Sequence, residues 1–379
     1  MYGAARKCAG TGLNCARCMT QRLRRTQHMK IAQIAPLVES VPPKLYGGTE
    51  RVVSWLTEEL VRQGHDVTLF ASGDSITNAE LDPVVPRALR LDGQMHNSVW
   101  YNLLMLERVA SRAQEFDMLH FHIDFFQFPV FRDIANRTLT TLHGRLDLPE
   151  IQPLYRVFNK APLVSISNNQ RLPMPPVNWR GTVYHGLPSD QFHMIEKPKE
   201  YLAFLGRISP EKNPIAAIEI AERAGMPLKI AAKVDAVDKE YYETVVAPRI
   251  AESAHVEFIG EINEAQKQLF LGNARALLFP IDWPEPFGLV MIESMACGTP
   301  VVAFNRGSVP EVIEDGRSGF IVENVDEAAA AVDCIGTLSR KAVRACFDLR
   351  YSSTVMAAQY VDIYNALLTD NPVPAREAA

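Results

Sequence analysis

Strand-length apolar runs alternate with amphipathic helical stretches along most of this 379-residue chain, and no other feature restricts its fold so tightly. MKIAQIAP (29–36) reads as a strand, GTERVVSWLTEELVRQG (48–64) as a helix and HDVTLFAS (65–72) as a strand. A helix over 98–114 follows, then strands at DMLHFHI (117–123), RTLTTLHG (137–144) and PLVSIS (162–167). The rhythm pauses in VYHGLPSDQFHMIEKPKE (183–200), rich in proline, glycine and charge. It restarts with YLAFLG, the helix PIAAIEIAERAG, and the strands MPLKIAAK, HVEFIG, ARALLFP, PVVAFN and SGFIV. Strands that take turns with helices form parallel sheets covered on both faces. The length exceeds what one core usually fills. The expected fold is therefore α/β, with two doubly wound, Rossmann-like domains at 29–190 and 199–350 and a last long helix at 352–368.

Residues 1–28 stand apart. They carry six basic side chains, no acidic one and three of the six cysteines, without periodicity. They read as a disordered leader or a misassigned start, because Met29 opens the first strand. An Arg-rich targeting segment is one alternative. A metal site from Cys15, Cys18 and His28 is another, weakened by the lack of a second CxxC. The remaining 351 residues have a net charge of −11, which argues against a nucleic-acid binder. No apolar run reaches the roughly 18 residues of a membrane span. Cys297, Cys334 and Cys346 are dispersed in apolar patterns and read as reduced residues of a cytoplasmic protein.

Ligands of doubly wound sheets bind beyond the carboxyl ends of the strands, so the segments after each strand hold the candidates. After the first strand, Gly47 and Gly48 precede a helix with Thr49 as its expected N-cap. Glycines let a ligand approach the backbone, and a helix start offers free N–H groups, but the same pair also makes a plain tight turn. After YLAFLG, Arg207 and Lys212 flank a turn at a helix start, where two cations oppose the helix dipole. A bound polyanion would resolve that conflict; solvated charges with Glu211 as a partner would too. After ARALLFP comes PEPFGLVMIESMACGTP (284–300), with Glu285 in the loop and Glu293 about two turns inside a nearly all-apolar helix. A carboxylate there faces either sugar hydroxyls or a buried cationic or amide partner. His120 and His122 in HFHID read as core or cleft lining, with no set of further zinc ligands. The four phenylalanines of IDFFQFPVF (123–131) suit an acceptor pocket or core packing.

Taken together, Gly47-Gly48, GRISPEK (206–212) and the E-x7-E pair Glu285 and Glu293 followed by ACGTPVV resemble the retaining glycosyltransferases of family 4, group 1, with the GT-B fold. The resemblance runs from Met29 to about Leu368. It implies that the first domain binds the acceptor, the second binds a nucleotide sugar, and the last helix crosses back onto the first domain. It implies that Arg207 and Lys212 hold the donor diphosphate and Glu293 the ribose. Glu285 and the N–H groups of Phe287, Gly288, Leu289 and Val290 would contact the transferred sugar. His143, in TLHG, would touch the sugar, and Gly47-Gly48 would close on the diphosphate. The sequence departs from the family in having His185-Gly186 where Asn-Gly is common, and Ala232 and Lys233 where glycine is common; both bear on the donor.

The expected activity is transfer of a hexose from a nucleotide diphosphate sugar, UDP-glucose before a GDP-sugar, to a small-molecule or glycan acceptor. No D-x-D occurs, so no metal and no cofactor is expected. A front-face route in which the leaving phosphate takes the acceptor's proton fits the residues. Related GT-B activities, a phosphorylase or an epimerase, and a non-catalytic nucleotide-sugar-binding protein are the alternatives. No integral membrane contact is expected; peripheral association stays compatible with the sequence, which sets no oligomeric state.

Overall fold

The computed structural model describes residues 28–44, 47–91 and 99–370. The readings of residues 1–28 lie outside the described residues, His28 apart.

Two parallel sheets form from the apolar runs. The first holds β1 (Lys30–Ile34), β2 (Asp66–Ser72), β3 (Glu80–Val85), β4 (Met118–Phe121), β5 (Thr138–Thr141), β6 (Leu163–Ser165) and β7 (Trp179–Thr182), in the order β3-β2-β1-β4-β5-β6-β7. The second holds β8 (Leu202–Arg207), β9 (Leu228–Lys233), β10 (Val256–Gly260), β11 (Ala276–Phe279), β12 (Val301–Phe304) and β13 (Gly319–Val322), in the order β10-β9-β8-β11-β12-β13. Central strands such as β4, β5, β11 and β12 are buried along their whole length, as strands covered by helices on both faces must be. In each sheet the strand order reverses direction beside the first strand, between β1 and β4 and between β8 and β11. Those switch points open crevices at the carboxyl ends of the strands.

Two strands were not apparent in the sequence, β3 (ELDPVV) and β7 (WRGT), and both are edge strands. β3 and β7 bury little of their length and so show no apolar run, and β3 tolerates Pro83 because one row of its N–H groups needs no ladder partner.

The helix Ser353–Asp370 crosses back onto the first domain. Tyr360 and Tyr364 are fully buried there, and their hydroxyls reach Thr141 (2.9 Å) and His120 Nδ1 (2.7 Å) under the first sheet. The linker and the start of this helix cross at Leu187, whose N–H donates to the Tyr351 carbonyl (3.0 Å) and whose carbonyl accepts from the Ser353 N–H (2.8 Å). A side chain at Gly186 would collide with the Ser352 carbonyl, so the crossing requires glycine. One apolar cluster runs from Ile31 and Leu56 through Leu187 and Tyr351 to Met291 and Val301, tying both domains into a shared core.

Candidate functional site

The two switch points face each other across a cavity of about 480 Å³. Its walls carry Gly47, Gly48 and His143 from the first domain, and Arg207, Lys212, Glu285, Phe287, Gly288, Leu289, Val290 and Glu293 from the second. Residues up to 246 positions apart in sequence thus share one cleft, which also takes in His185 and Lys233.

Two helix starts converge on it. The helix Gly48–Arg62 begins with Gly47 as its N-cap, rather than Thr49, and has no side-chain cap. The helix Leu289–Ala296 begins after Gly288, whose φ of 81° lies in the left-handed region, again without a side-chain cap. Glu293 therefore sits just over one turn inside, nearer the opening than the sequence suggests. Gly48 faces Leu289 across the cleft: a Cβ at Gly48 would lie 3.6 Å from Leu289 Cδ1. Uncapped first-turn N–H groups and aligned peptide dipoles make both starts electropositive.

The predicted cations are held by carboxylates. Arg207, last residue of β8, pairs with Glu211 and with Asp238 (3.3 Å). Lys212 pairs with Glu285 and lies 5.4 Å from the centre of the Trp283 ring. Trp283 Nε1 in turn donates to Glu285 Oε2 (3.0 Å). The Glu285 loop is also locked from behind. The Ser308 N–H donates to the Glu285 carbonyl (3.0 Å), and Gly307, with φ 56°, leaves no room for a side chain against the Glu285 backbone.

Glu293 is 3% exposed and has the buried cationic partner that was one of its two readings. It borders the cleft, and its charge is met by Lys267 Nζ at 2.9 Å. Lys267 also reaches Glu264 (2.8 Å), which pairs with Arg51 of the first domain (3.0 Å). Burial pulls the Lys267 ammonium down, but Glu293 and Glu264 outweigh it and hold it above its ordinary value. The chain Arg51–Glu264–Lys267–Glu293 spans the cleft at its floor.

Four histidines cluster on the first-domain side. His120, inside β4, is a core residue bonded to Tyr364 and to Thr141 (2.8 Å). His122, just after β4, bonds His143 Nε2 and Gln33 Oε1, each at 2.8 Å. The His185 ring stacks on His143 with centroids 5.2 Å apart and packs edge-on against Phe287 at 4.9 Å. Burial pulls the His143 imidazole down to about 3. Burial, reinforced by neighbouring imidazoles, puts His120, His122 and His185 well below the ordinary range as well. All four are neutral at physiological pH. Among the described residues, no group of three or more His, Cys, Asp or Glu side chains is placed to hold a metal ion.

Phe128 and Phe131 are buried in two separate core clusters, and Phe125 and Phe126 stack half-buried beside them. None of the four lines the cleft. Sequence reasoning missed Lys267, Arg51, Gln33 and the His122–His143 contact. Lys267 follows a capping box at Asn263 and stands three residues after Glu264, the spacing of an ordinary solvent-facing pair. His120 and His122 alternate onto one face of a buried strand, a signal that could have paired His122 with the next strand end.

Two family models match the chain, one over each set of cleft residues, with His185 between them. A family model described as Glycosyltransferase Family 4 matches residues 46–171, and one described as Glycosyl transferases group 1 matches residues 189–344. The chain is 31% identical over 122 residues to a phosphatidyl-myo-inositol mannosyltransferase of Mycobacterium leprae, covering 30% of this chain and 33% of that protein. It is 33% identical over 157 residues to a D-inositol 3-phosphate glycosyltransferase of Streptomyces scabiei, covering 38% and 33%. The chain thus matches about a third of the length of these curated relatives. Its fold resembles the crystal structure of HepE of Anabaena in complex with UDP-glucose, with a TM-score of 0.67, 17% identity, and coverage of 89% of this chain and 100% of that one.

Proposed function

The chain belongs to the glycosyltransferases of family 4 and group 1, and on that premise we propose that it moves a hexose from a nucleoside diphosphate sugar to an acceptor hydroxyl with retention of configuration. One observation carries the reading: Arg207, Lys212, two uncapped helix starts and the acids Glu285 and Glu293 converge on a single cleft. Diphosphate oxygens fit the cations and the free N–H groups, and vicinal hydroxyls fit the carboxylates.

In this mechanism Arg207 and Lys212 trade part of their carboxylate contacts for the diphosphate. Glu293 accepts hydrogen bonds from the ribose hydroxyls. Glu285 and the N–H groups of Phe287, Gly288, Leu289 and Val290 hold the hexose, and Gly47-Gly48 and His143 close on it from the first domain. The acceptor oxygen bonds to the anomeric carbon as the bond from that carbon to the phosphate oxygen breaks. The departing β-phosphate oxygen takes the acceptor's proton, so attack and departure share one face. Fixed cations and peptide dipoles neutralise the charge growing on the phosphate, without a metal.

UDP-glucose is the first donor to test, a GDP-sugar the second. The acceptor is a small molecule or glycan; the two relatives are named for inositol-containing acceptors, which makes phosphorylated polyols the first class to try. Among the described residues no helix is long and apolar enough to cross a membrane.

Thermal denaturation with UDP-glucose, GDP-mannose and free UDP tests the reading. A donor at a hundred times its Kd is expected to add about 2.7 kcal/mol of stability. A chain that no nucleotide or nucleotide sugar stabilises is not a nucleotide-sugar transferase.

A further inference from the structure

Hydrogen-bond polarity can be followed atom by atom from the first sheet into the cleft. Gln33 Nε2 donates to the Tyr364 hydroxyl (3.3 Å), which turns Gln33 Oε1 toward His122 Nε2 (2.8 Å). An amide oxygen only accepts, so His122 Nε2 carries the proton. His122 is neutral, so its Nδ1 is bare and accepts from His143 Nε2, 2.8 Å away. His143 is neutral too, which leaves its Nδ1 without a proton. That atom is buried and has no hydrogen-bond partner, on a side chain that lines the cleft. Buried polar atoms are almost always paired, so a bare acceptor here points to a hydroxyl supplied from outside the protein.

We propose that Gln33 and His122 are positioning residues that lock His143 in the Nε2–H tautomer, so that its Nδ1 accepts a hydrogen bond from one hydroxyl of the transferred sugar. This rests on the proposed function. The relay runs entirely through first-domain groups and the crossing helix, so the polarity of His143 is set by a contact between residues 331 positions apart, Gln33 and Tyr364. A sugar lacking that hydroxyl, or one presenting an acceptor such as fluorine in its place, meets an unpaired lone pair.

The test separates the relay from the donor. In the 15N-labelled full chain, long-range 1H–15N spectra of the histidine rings, assigned with His143→Asn, are expected to show His143 protonated at Nε2 and bare at Nδ1. Gln33→Glu, read at a pH where its carboxylate is ionised and so only accepts, keeps that pattern. Gln33→Leu releases it, and a substantial fraction of His143 moves to the Nδ1–H form. A structural role alone would not distinguish the two variants by tautomer. Kinetics with UDP-glucose and its monodeoxy analogues form the second arm. The wild type and Gln33→Glu are expected to discriminate against one analogue by about 10- to 100-fold in kcat/KM, and Gln33→Leu by less than about threefold. Finding His143 protonated at Nδ1 in the wild type, or unchanged in Gln33→Leu, overturns the inference whatever the donor. The predicted tautomers with no turnover of UDP-glucose leave the relay standing and count against the donor assignment instead. The predicted tautomers with turnover but no discrimination overturn the sugar contact.

Discussion

Lys212→Ala is expected to slow sugar transfer by about two to three orders of magnitude. Removing one fixed group that stabilises developing charge in a water-poor site typically costs about 2.7–4 kcal/mol of transition-state energy. Lys212 meets those conditions: its side chain is 22% exposed, it borders the cleft, and it lies over Trp283. Its pairing with Glu285, itself 12% exposed, gives the substitution a second consequence, an acid left with only the Trp283 N–H as partner. The double variant Lys212→Ala/Glu285→Gln separates the two effects when it is compared with Glu285→Gln, since Glu285 itself holds the hexose. If Lys212 served only to neutralise Glu285, the double variant would turn over as fast as Glu285→Gln. If it binds the leaving diphosphate, the double variant regains stability but stays about two orders of magnitude slower than Glu285→Gln. Steady-state rates for the three variants decide it, and a Lys212→Ala variant within threefold of wild type would refute the role.

Lowering the pH from 7.5 to 5.5 is expected to cost stability, by at most about 5 kcal/mol. His120, His122, His143 and His185 are held neutral in the fold, with His143 pulled to about 3, whereas unfolded histidine titrates near 6.5. Their folded values are lowered, so below about 6.5 the unfolded chain binds protons that the folded one refuses. Stability is therefore fully present above 6.5 and falls as the pH drops. One unit below 6.5 costs about 1.4 kcal/mol for each such histidine. Burial raises the carboxyls of Glu50 and Glu39, which take up protons earlier in the folded state and return part of this loss as the pH approaches 4.5. Carboxylates with lowered values, such as Glu59 and Asp74, act only below their unfolded values and so outside this window. Urea unfolding at the two pH values measures the difference, and His185→Asn should make it smaller. A change under 1 kcal/mol for the wild type would show that the cluster is not held neutral.

Central strands and most helices were legible in the sequence because burial on both faces forces continuous apolar runs. β3 and β7 were not: both lie at an edge and bury few of their side chains, whereas the edge strands β10 and β13 keep a readable apolar pattern. At the site, the glycine pair, Arg207, Lys212, Glu285 and Glu293 were legible as local conflicts: cations at a helix start, and acids in or beside an apolar helix. What answers those conflicts was hidden. Glu285 relieves Lys212 from 73 positions away and Lys267 relieves Glu293 from 26. His120 meets Tyr364 across 244 residues. Such pairs depend on how the sheets and the crossing helix stack, which no local pattern encodes. The Thr49 cap failed for a different reason. Thr49 is a good N-cap residue by type, but the N-cap is Gly47, two residues earlier, which leaves the helix start uncapped toward the cleft.

A structure determined with UDP bound would test the central claim most directly. The account predicts the β-phosphate within hydrogen-bond distance of Arg207 and Lys212, near the N–H groups at the start of Leu289–Ala296, with both ribose hydroxyls on Glu293. A diphosphate resting anywhere else, with Arg207 still held by Glu211 and Asp238 and Lys212 by Glu285, would contradict it.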